Sequence, residues 1–232
     1  MGEGIYQVTK ANGIKYSVRE DRRRYFMPQE WNTFIETIKN EKHYLLFLTL
    51  LHSGARIMEA LHLKPSNFDF ERETITFDVV KERKAKKQFY AIGKSRTFFV
   101  SKKYIKEVKS YVNRNKIAPG EYIFLDNKKL PANYSQLSNK DKKKYYQNTE
   151  RAYANLLKRK LKKAGIKDYL SFSLHNLRKT YGNWMRIFDI KMEELCYRMG
   201  HDRETYQNHY GSSLIFNSQE KQEILRIMGE IK

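Results

Sequence analysis

Two histidines and two tyrosines lie close together in MGHDRETYQNHYG, residues 199–211. Tyrosine is a poor nucleophile at neutral pH, because its hydroxyl has a pKa near ~10. Neighbouring cations lower that pKa, and a phenolate then becomes a workable nucleophile. The stretch therefore raises the question of whether Tyr206 or Tyr210 is present for chemistry.

A second candidate group is the His-x-x-Arg pattern of SLHNLRKTYGNWM, residues 173–185. An apolar stripe with helical spacing predicts the core-facing side of a helix, formed by Leu174, Leu177, Tyr181 and Trp184. His175 and Arg178 are three residues apart on the adjoining stripe, so both can point to one ligand. Taken alone, the pattern favours an ordinary surface pair.

A second arginine, Arg56, follows Ser-Gly-Ala in HSGARIMEALHL, residues 52–63. It begins a helix whose other residues are largely apolar. A charge in such a place is costly unless an anion meets it. Glu59, one turn further along, is one candidate anion, and a phosphate is the alternative.

Together, two arginines, two histidines, a tyrosine and a group of lysines meet the needs of phosphodiester transesterification. Arginine binds the non-bridging oxygens bidentately and stabilises the charge of the transition state. Histidine hydrogen-bonds the phosphate or manages the tyrosine proton, and lysine can protonate the leaving 5′ oxygen.

The chain of 232 residues carries a net charge of +20, from 46 Lys and Arg against 26 Asp and Glu. Such an excess repels itself in a compact state, so it usually has a polyanionic partner. Nucleic acid is the first candidate partner and an anionic membrane surface is the second, while a surface that only aids solubility is the alternative.

Several features narrow the class of protein further. The lone cysteine, Cys196, excludes an intramolecular disulfide and favours a small buried hydrophobic residue. No apolar run reaches the ~18 residues of a membrane span, and the first residues do not form a signal peptide. We therefore expect a cytoplasmic protein. Three histidines are scattered and are expected to be structural: His43, His52 and His62.

The sequence periodicity predicts a mostly α fold with a small antiparallel β-sheet, of the α+β class. Predicted helices cover residues 28–40, 43–63 with a hinge near Ser53-Gly54, 102–115, 149–165, 173–188, 191–200, 202–211 and 217–232. Alternation predicts strands within residues 67–80 and 88–101, joined by the lysine-rich KERKAKK at 81–87. Residues 127–148 are expected to form an exposed connection.

Three of these stretches resemble the motifs of the tyrosine recombinases, the phage-integrase family. SGARIMEALHLKPSNFDF resembles the first-arginine box, HNLRKT the His-x-x-Arg box, and MGHDRETYQNHYG the Gly-His box with the nucleophile. His201 lies 23 residues after Arg178, and Tyr210 lies 9 after His201, as in the family. The resemblance covers about Pro28 to Gly211, and its style leans towards archaeal members.

The resemblance implies a role for each matching residue. Tyr210 would be the nucleophile, and Tyr206 a neighbour on the same helical face. Arg56 and Arg178 would form the arginine clamp. His175 and His201 would be the phosphate-side histidines, and Glu59 would be the supporting acid. The family places a catalytic lysine in the β-hairpin; here Lys81 fits best and Lys84 is next.

It also implies an activity and a partner. Such a protein cuts and rejoins double-stranded DNA through a 3′-phosphotyrosyl intermediate, without metal or nucleotide cofactors, as a tetramer on DNA. Rival hypotheses are a type IB topoisomerase or telomere resolvase, and a DNA-binding relative with a decayed site. We expect a linker at 1–25, a catalytic domain at 26–216, and a last helix at 217–232. This helix either packs on its own domain or exchanges between protomers through one apolar face, formed by Ile224, Leu225, Ile227, Met228 and Ile231. Family members usually have an N-terminal helical clamp, whereas only about 25 residues precede the catalytic part here, which predicts an excised domain or a different grip on DNA.

Overall fold

The computed structural model describes residues 5–9, 13–19, 25–78, 95–201, 203–204, 206 and 216–230. Within these residues the helices are α1 (Pro28–Glu36), α2 (Glu41–Ser53), α3 (Ile57–Leu61), α4 (Lys102–Arg114), α5 (Asn139–Lys163), α6 (Leu174–Trp184), α7 (Met192–Met199) and α8 (Ser218–Met228). The strands are β1 (Ile5–Thr9), β2 (Lys15–Arg19), β3 (Phe68–Asp69), β4 (Thr74–Asp78) and β5 (Ser95–Phe99). The predicted mostly helical fold with a small antiparallel sheet is confirmed.

Helix α2 lies at the centre of the helical part. Every residue from Leu45 to Ser53 is buried, and the helix contacts α3, α4 and α6. A helix that is buried on all sides must be apolar on all sides, which explains the sequence LLFLTLL. Its two buried hydroxyls are satisfied within the helix, since Thr49 and Ser53 donate to carbonyls four residues earlier.

The predicted hinge after α2 is confirmed at Gly54. This residue has φ 59° in the left-handed region, and its N–H donates to the Leu50 carbonyl at 3.1 Å. A Cβ at Gly54 would overlap the ring of Tyr181 on α6. Only glycine therefore allows α2 to end here while α6 packs so closely against it.

The three-stranded sheet is antiparallel in the order β3–β4–β5. Ile75 lies opposite Phe98, and Phe77 lies opposite Arg96. These four side chains are buried, whereas the intervening Thr97 is exposed. Alternation thus sends one face of the hairpin into the core, and that face includes an arginine. The segment that joins β4 to β5 lies outside the described residues.

Two expectations about irregular segments are wrong. Residues 5–9 and 15–19 form an antiparallel hairpin rather than a linker, and β2 contacts the 3-10 turn Tyr169–Ser171. IYQVT and KYSVR combine β-branched and aromatic residues, which favour strands. This local preference outweighs the polar composition of the segment as a whole.

Helix α5 begins at Asn139, inside the segment expected to be an exposed connection. Ser138 caps it, because its hydroxyl oxygen accepts from the Asp141 N–H at 3.2 Å. The lysine-rich sequence conceals two buried anchors, Tyr134 and Tyr146, whose rings pack against His62. Aromatic burial rather than charge therefore decides the structure of this segment.

The last helix, α8, packs against α1 of its own chain. Ile224, Ile227 and Met228 are buried there, as predicted for one apolar face, but Leu225 is 43% exposed and does not belong to it. The Asn32 amide contacts the Glu223 carboxylate across this interface.

No helix in the described part of the chain is long and apolar enough to cross a membrane.

We expect Gly54→Ala to lower the free energy of unfolding more than Gly165→Ala. Both glycines have positive φ, +59° and +76°, where a side chain costs roughly 1–2 kcal/mol. Nothing lies within 4 Å of a Cβ at Gly165, whereas overpacking against Tyr181 adds about 1–3 kcal/mol at Gly54. Urea unfolding of both variants measures the difference, and equal losses would contradict a tight α2–α6 contact.

Candidate active site

Arg56 stands at the N-terminus of α3, where Glu59 holds it twice. Glu59 Oε2 accepts from the Arg56 backbone N–H at 2.8 Å, and Oε1 accepts from Arg56 Nη1 at 3.1 Å. The Glu59 side chain is 4% exposed and that of Arg56 is 33% exposed. The carboxylate thus fixes both ends of the arginine while its guanidinium remains open to solvent.

Arg96 on β5 is a second partner of Glu59, which the sequence reasoning missed. Its Nη2 lies 3.1 Å from Glu59 Oε1, and its side chain is 5% exposed. The guanidinium lies 5.9 Å from the centre of the Phe77 ring. One signal in the sequence could have found it, because Arg96 occupies the inward phase of an alternating strand, with Phe98 and Val100 next on that face.

The surrounding charges keep Glu59 ionised. Burial alone would raise the pKa of this carboxyl, but Arg96, the Arg56 N–H, and the charges of Arg178 and Arg56 together hold its pKa below the usual range. Positive charge is therefore in excess around this carboxylate, and Arg56 is the member of the group that faces solvent.

Arg178 brings the three sequence motifs together. Its side chain is buried, and Nη1 donates to the Gly54 carbonyl while Nη2 donates to the Met199 carbonyl. Gly54 is two residues before Arg56, and Met199 is two residues before His201. The middle motif therefore holds the first and third motifs side by side.

The two candidate histidines lie at the edges of this junction. His175 is exposed in the first turn of α6, one turn before Arg178. His201 follows Gly200, which ends α7 with φ 59°, and its backbone N–H donates to the Cys196 carbonyl at 3.0 Å. The His201 side chain is half-buried, with Nδ1 on the buried side. A Cβ at Gly200 would overlap the Arg96 guanidinium, so the turn before His201 lies directly on that side chain.

The two tyrosines of the opening question differ. Tyr206 is fully buried, and its hydroxyl donates to the Gly182 carbonyl at 2.7 Å. This geometry fits a structural residue whose hydroxyl serves packing. Tyr210 lies outside the described residues, as do Lys81 and Lys84, so their roles stay predictions.

The other histidines and the cysteine have structural surroundings. His52 stacks on Tyr104, and burial lowers its pKa to about 3, so it is neutral. His62 stacks on Tyr134, and Cys196 is buried as predicted. Within the described ranges, no group of His, Cys, Asp or Glu has the arrangement of a metal site.

The sequence model of the phage integrase family matches residues 24–214. The chain belongs to the phage integrase family. No curated protein sequence matches it significantly.

Solved structures of tyrosine recombinases have the same fold as this chain. XerA recombinase matches with a TM-score of 0.58 and 20% identity, over 87% of this chain and 64% of that chain. The Tn1549 transposon integrase in complex with circular intermediate DNA matches with 0.59 and 18%, over 87% and 66%. XerH bound to its difH substrate matches with 0.55 and 16%, over 93% and 58%. The chain thus spans less than two thirds of the length of each of these relatives.

We expect the stability contributed by Glu59 to disappear in acid. Its pKa is lowered by folding, so its contribution is present above the ordinary value of 4.5 and is lost as the pH falls through the folded-state value. The difference in unfolding free energy between wild type and Glu59→Gln should therefore be largest near neutral pH and shrink below pH 4.5. Chemical unfolding across this range checks it, and a difference that is constant with pH would contradict the ionised Glu59.

Proposed function

We propose that this chain is the catalytic part of a site-specific tyrosine recombinase that cuts and rejoins double-stranded DNA in the cytoplasm. The observation that most directly supports this is the bridge from Arg178 to the Gly54 and Met199 carbonyls, which places the motifs of Arg56 and His201 at one junction. The Tn1549 integrase and XerH relatives, whose structures contain DNA, have the same fold. The net charge of +20 suits a polyanionic substrate.

In the proposed reaction, the Tyr210 oxygen attacks the scissile phosphorus. A 3′-phosphotyrosyl bond forms and the bond to the 5′ oxygen breaks, so the phosphodiester energy is kept without a metal or nucleotide cofactor. The 5′ oxygen of the same or another strand later reverses the step. Arg56, which is open to solvent, binds the non-bridging oxygens, and Arg178 adds its buried charge beside them.

Proton transfers complete the balance. The Tyr210 proton is taken up by a neighbouring base, for which His175 and His201 are the candidates. A histidine that does not take up the proton hydrogen-bonds the phosphate. Lys81 donates a proton to the leaving 5′ oxygen, with Lys84 as the alternative. Cleavage assays on Lys81→Ala and Lys84→Ala identify the acid when they use a substrate whose 5′ leaving group needs no proton. That substrate should restore cleavage only to the variant that lacks the acid.

We expect Tyr210→Phe to abolish covalent protein–DNA complexes while DNA affinity is retained. A nicked suicide duplex traps the complex, and a denaturing gel detects it. Tyr206→Phe is the matched control: it should still form the complex and lose roughly 1 kcal/mol of stability with its buried hydrogen bond.

The reverse pattern, with Tyr206→Phe inactive and Tyr210→Phe active, would show that the nucleophile is misassigned. No covalent complex with the wild type would favour a protein that binds DNA without cutting it.

We further propose a homo-oligomer, a tetramer on DNA, in which α8 moves to a neighbouring protomer. In the free chain α8 packs on its own α1. Residues 211–215 alone separate Tyr210 from Phe216, so a change of α8 partner would act on the nucleophile. Exchange of an identical element costs little, because the same contacts form in cis and in trans.

Crosslinking tests the exchange in an Asn32→Cys/Glu223→Cys double variant, since these side chains touch across the α1–α8 interface. A short bis-maleimide should give intrachain links in the free protein and interchain multimers on a two-site duplex. Cys196 is buried and is kept in both single-substitution controls. Intrachain links alone on the two-site duplex would contradict the exchange.

A further inference from the structure

Arg96 on β5 contacts two parts of the candidate site, Glu59 on α3 and the Gly200 turn after α7. Its Nη2 lies 3.1 Å from Glu59 Oε1 on α3, and its Nη1 side fills the space beside Gly200 at the end of α7. Phe77 on the neighbouring strand supports the guanidinium from 5.9 Å. One buried side chain thus contacts both the residue that holds Arg56 and the turn that carries His201.

The attachment of α7 to β5 does not depend on Arg96. Arg198 Nη1 donates to the Phe99 carbonyl at 3.2 Å, and the Thr97 N–H donates to the Tyr197 hydroxyl oxygen at 3.2 Å. Arg198 is itself paired with Glu194 at 2.7 Å. These contacts hold the helix on the strand, so Arg96 is not required for that purpose.

Stability alone does not explain an arginine at this position. Replacing a buried ion pair with well-packed apolar residues is often neutral or stabilising. The neighbouring inward positions of the strand are indeed apolar, at Phe98 and Val100. At this position the guanidinium reaches two groups, with Nη2 beside the Glu59 carboxylate and Nη1 against the Gly200 turn, and an apolar side chain would bring no charge to either.

The charge balance gives a second reason. Glu59 alone would neutralise Arg56, whereas Glu59 shared between Arg56 and Arg96 leaves the three side chains with a net charge of about +1. Arg56, the solvent-exposed member, therefore remains attractive to a phosphate while its orientation is fixed.

We propose that Arg96 is a positioning residue for strand transfer, which holds Glu59 and Arg56 in register with the Gly200–His201 turn. This inference rests on the proposed recombinase function. It assigns no contact with DNA to Arg96, which is buried. It predicts that loss of Arg96 affects the rate of the chemical step and not the affinity for DNA.

The test measures single-turnover covalent-complex formation and DNA affinity with the full chain on the nicked duplex. Arg96→Met should slow the rate by about 100-fold, the scale expected for a small misplacement of catalytic groups, with affinity nearly unchanged. Arg96→Lys should recover part of the rate, because lysine keeps the charge beside Glu59 without the fork.

Arg198→Met is the matched control, since Arg198 is a buried arginine of the same interface with its own ion pair. It should slow the rate much less than Arg96→Met does, because the hydrogen bond from the Thr97 N–H to Tyr197 still holds α7 on β5. Equal slowing by Arg96→Met and Arg198→Met would overturn the inference in favour of a general packing role, as would an Arg96→Met protein that cleaves normally.

The double variant Arg96→Met/Glu59→Gln covers the case in which Arg96→Met does not fold, because it also removes the buried negative charge that Arg96 helps to balance. We expect its loss of rate to be smaller than the combined losses of the two single variants, since both residues hold Arg56; fully additive losses would overturn the inference. A wild type that forms no covalent complex would overturn the recombinase function and this role with it, whereas an active wild type with an active Arg96→Met overturns the role alone.

Discussion

The buried guanidinium of Arg178 is the interaction on which the candidate site depends. It donates to the Gly54 carbonyl at the end of α2 and to the Met199 carbonyl at the end of α7. Carbonyls in the last turn of a helix have no partner within the helix and carry partial negative charge. Two helix ends thus supply the acceptors that a buried cation needs, and in exchange the cation fixes the separation of those ends.

The same two helix ends lie next to two candidate site residues, Arg56 and His201. α2 ends at Gly54 and α7 at Gly200, and both glycines have φ 59°. Each left-handed glycine ends its helix within two residues of a candidate side chain, Arg56 or His201. A side chain at either glycine would meet Tyr181 or Arg96, so each turn is tightly enclosed. Among the described residues, Arg56 and His201 of the candidate site thus follow closely after helix ends, and regular elements position side chains more precisely than loops do.

Local patterns allowed much of this to be predicted from the sequence. The stripe from Leu174 to Trp184 is buried as expected, and the Gly54 hinge is confirmed, because both depend on near neighbours in the chain. The partnership of Arg96 with Glu59 was missed, because it depends on how the sheet packs against α3. The start of α5 was missed for a related reason: Tyr146 becomes an anchor only when His62, far away in sequence, is beside it.

The described part of the candidate site carries more positive than negative charge. Glu59 is the one carboxylate that Arg56 and Arg96 share within the described ranges, and Arg178 adds a third positive charge nearby. Like charges held together in a partly buried space cost free energy, which the helix-end carbonyls and the carboxylate offset only in part. A bound phosphodiester would supply the missing negative charge, so the favourable free energy of that contact would stabilise the folded chain as well as the complex. An apolar core at this place would make the free protein more stable. On the proposed function, the same excess of positive charge that lowers this stability favours the negative charge of the transition state.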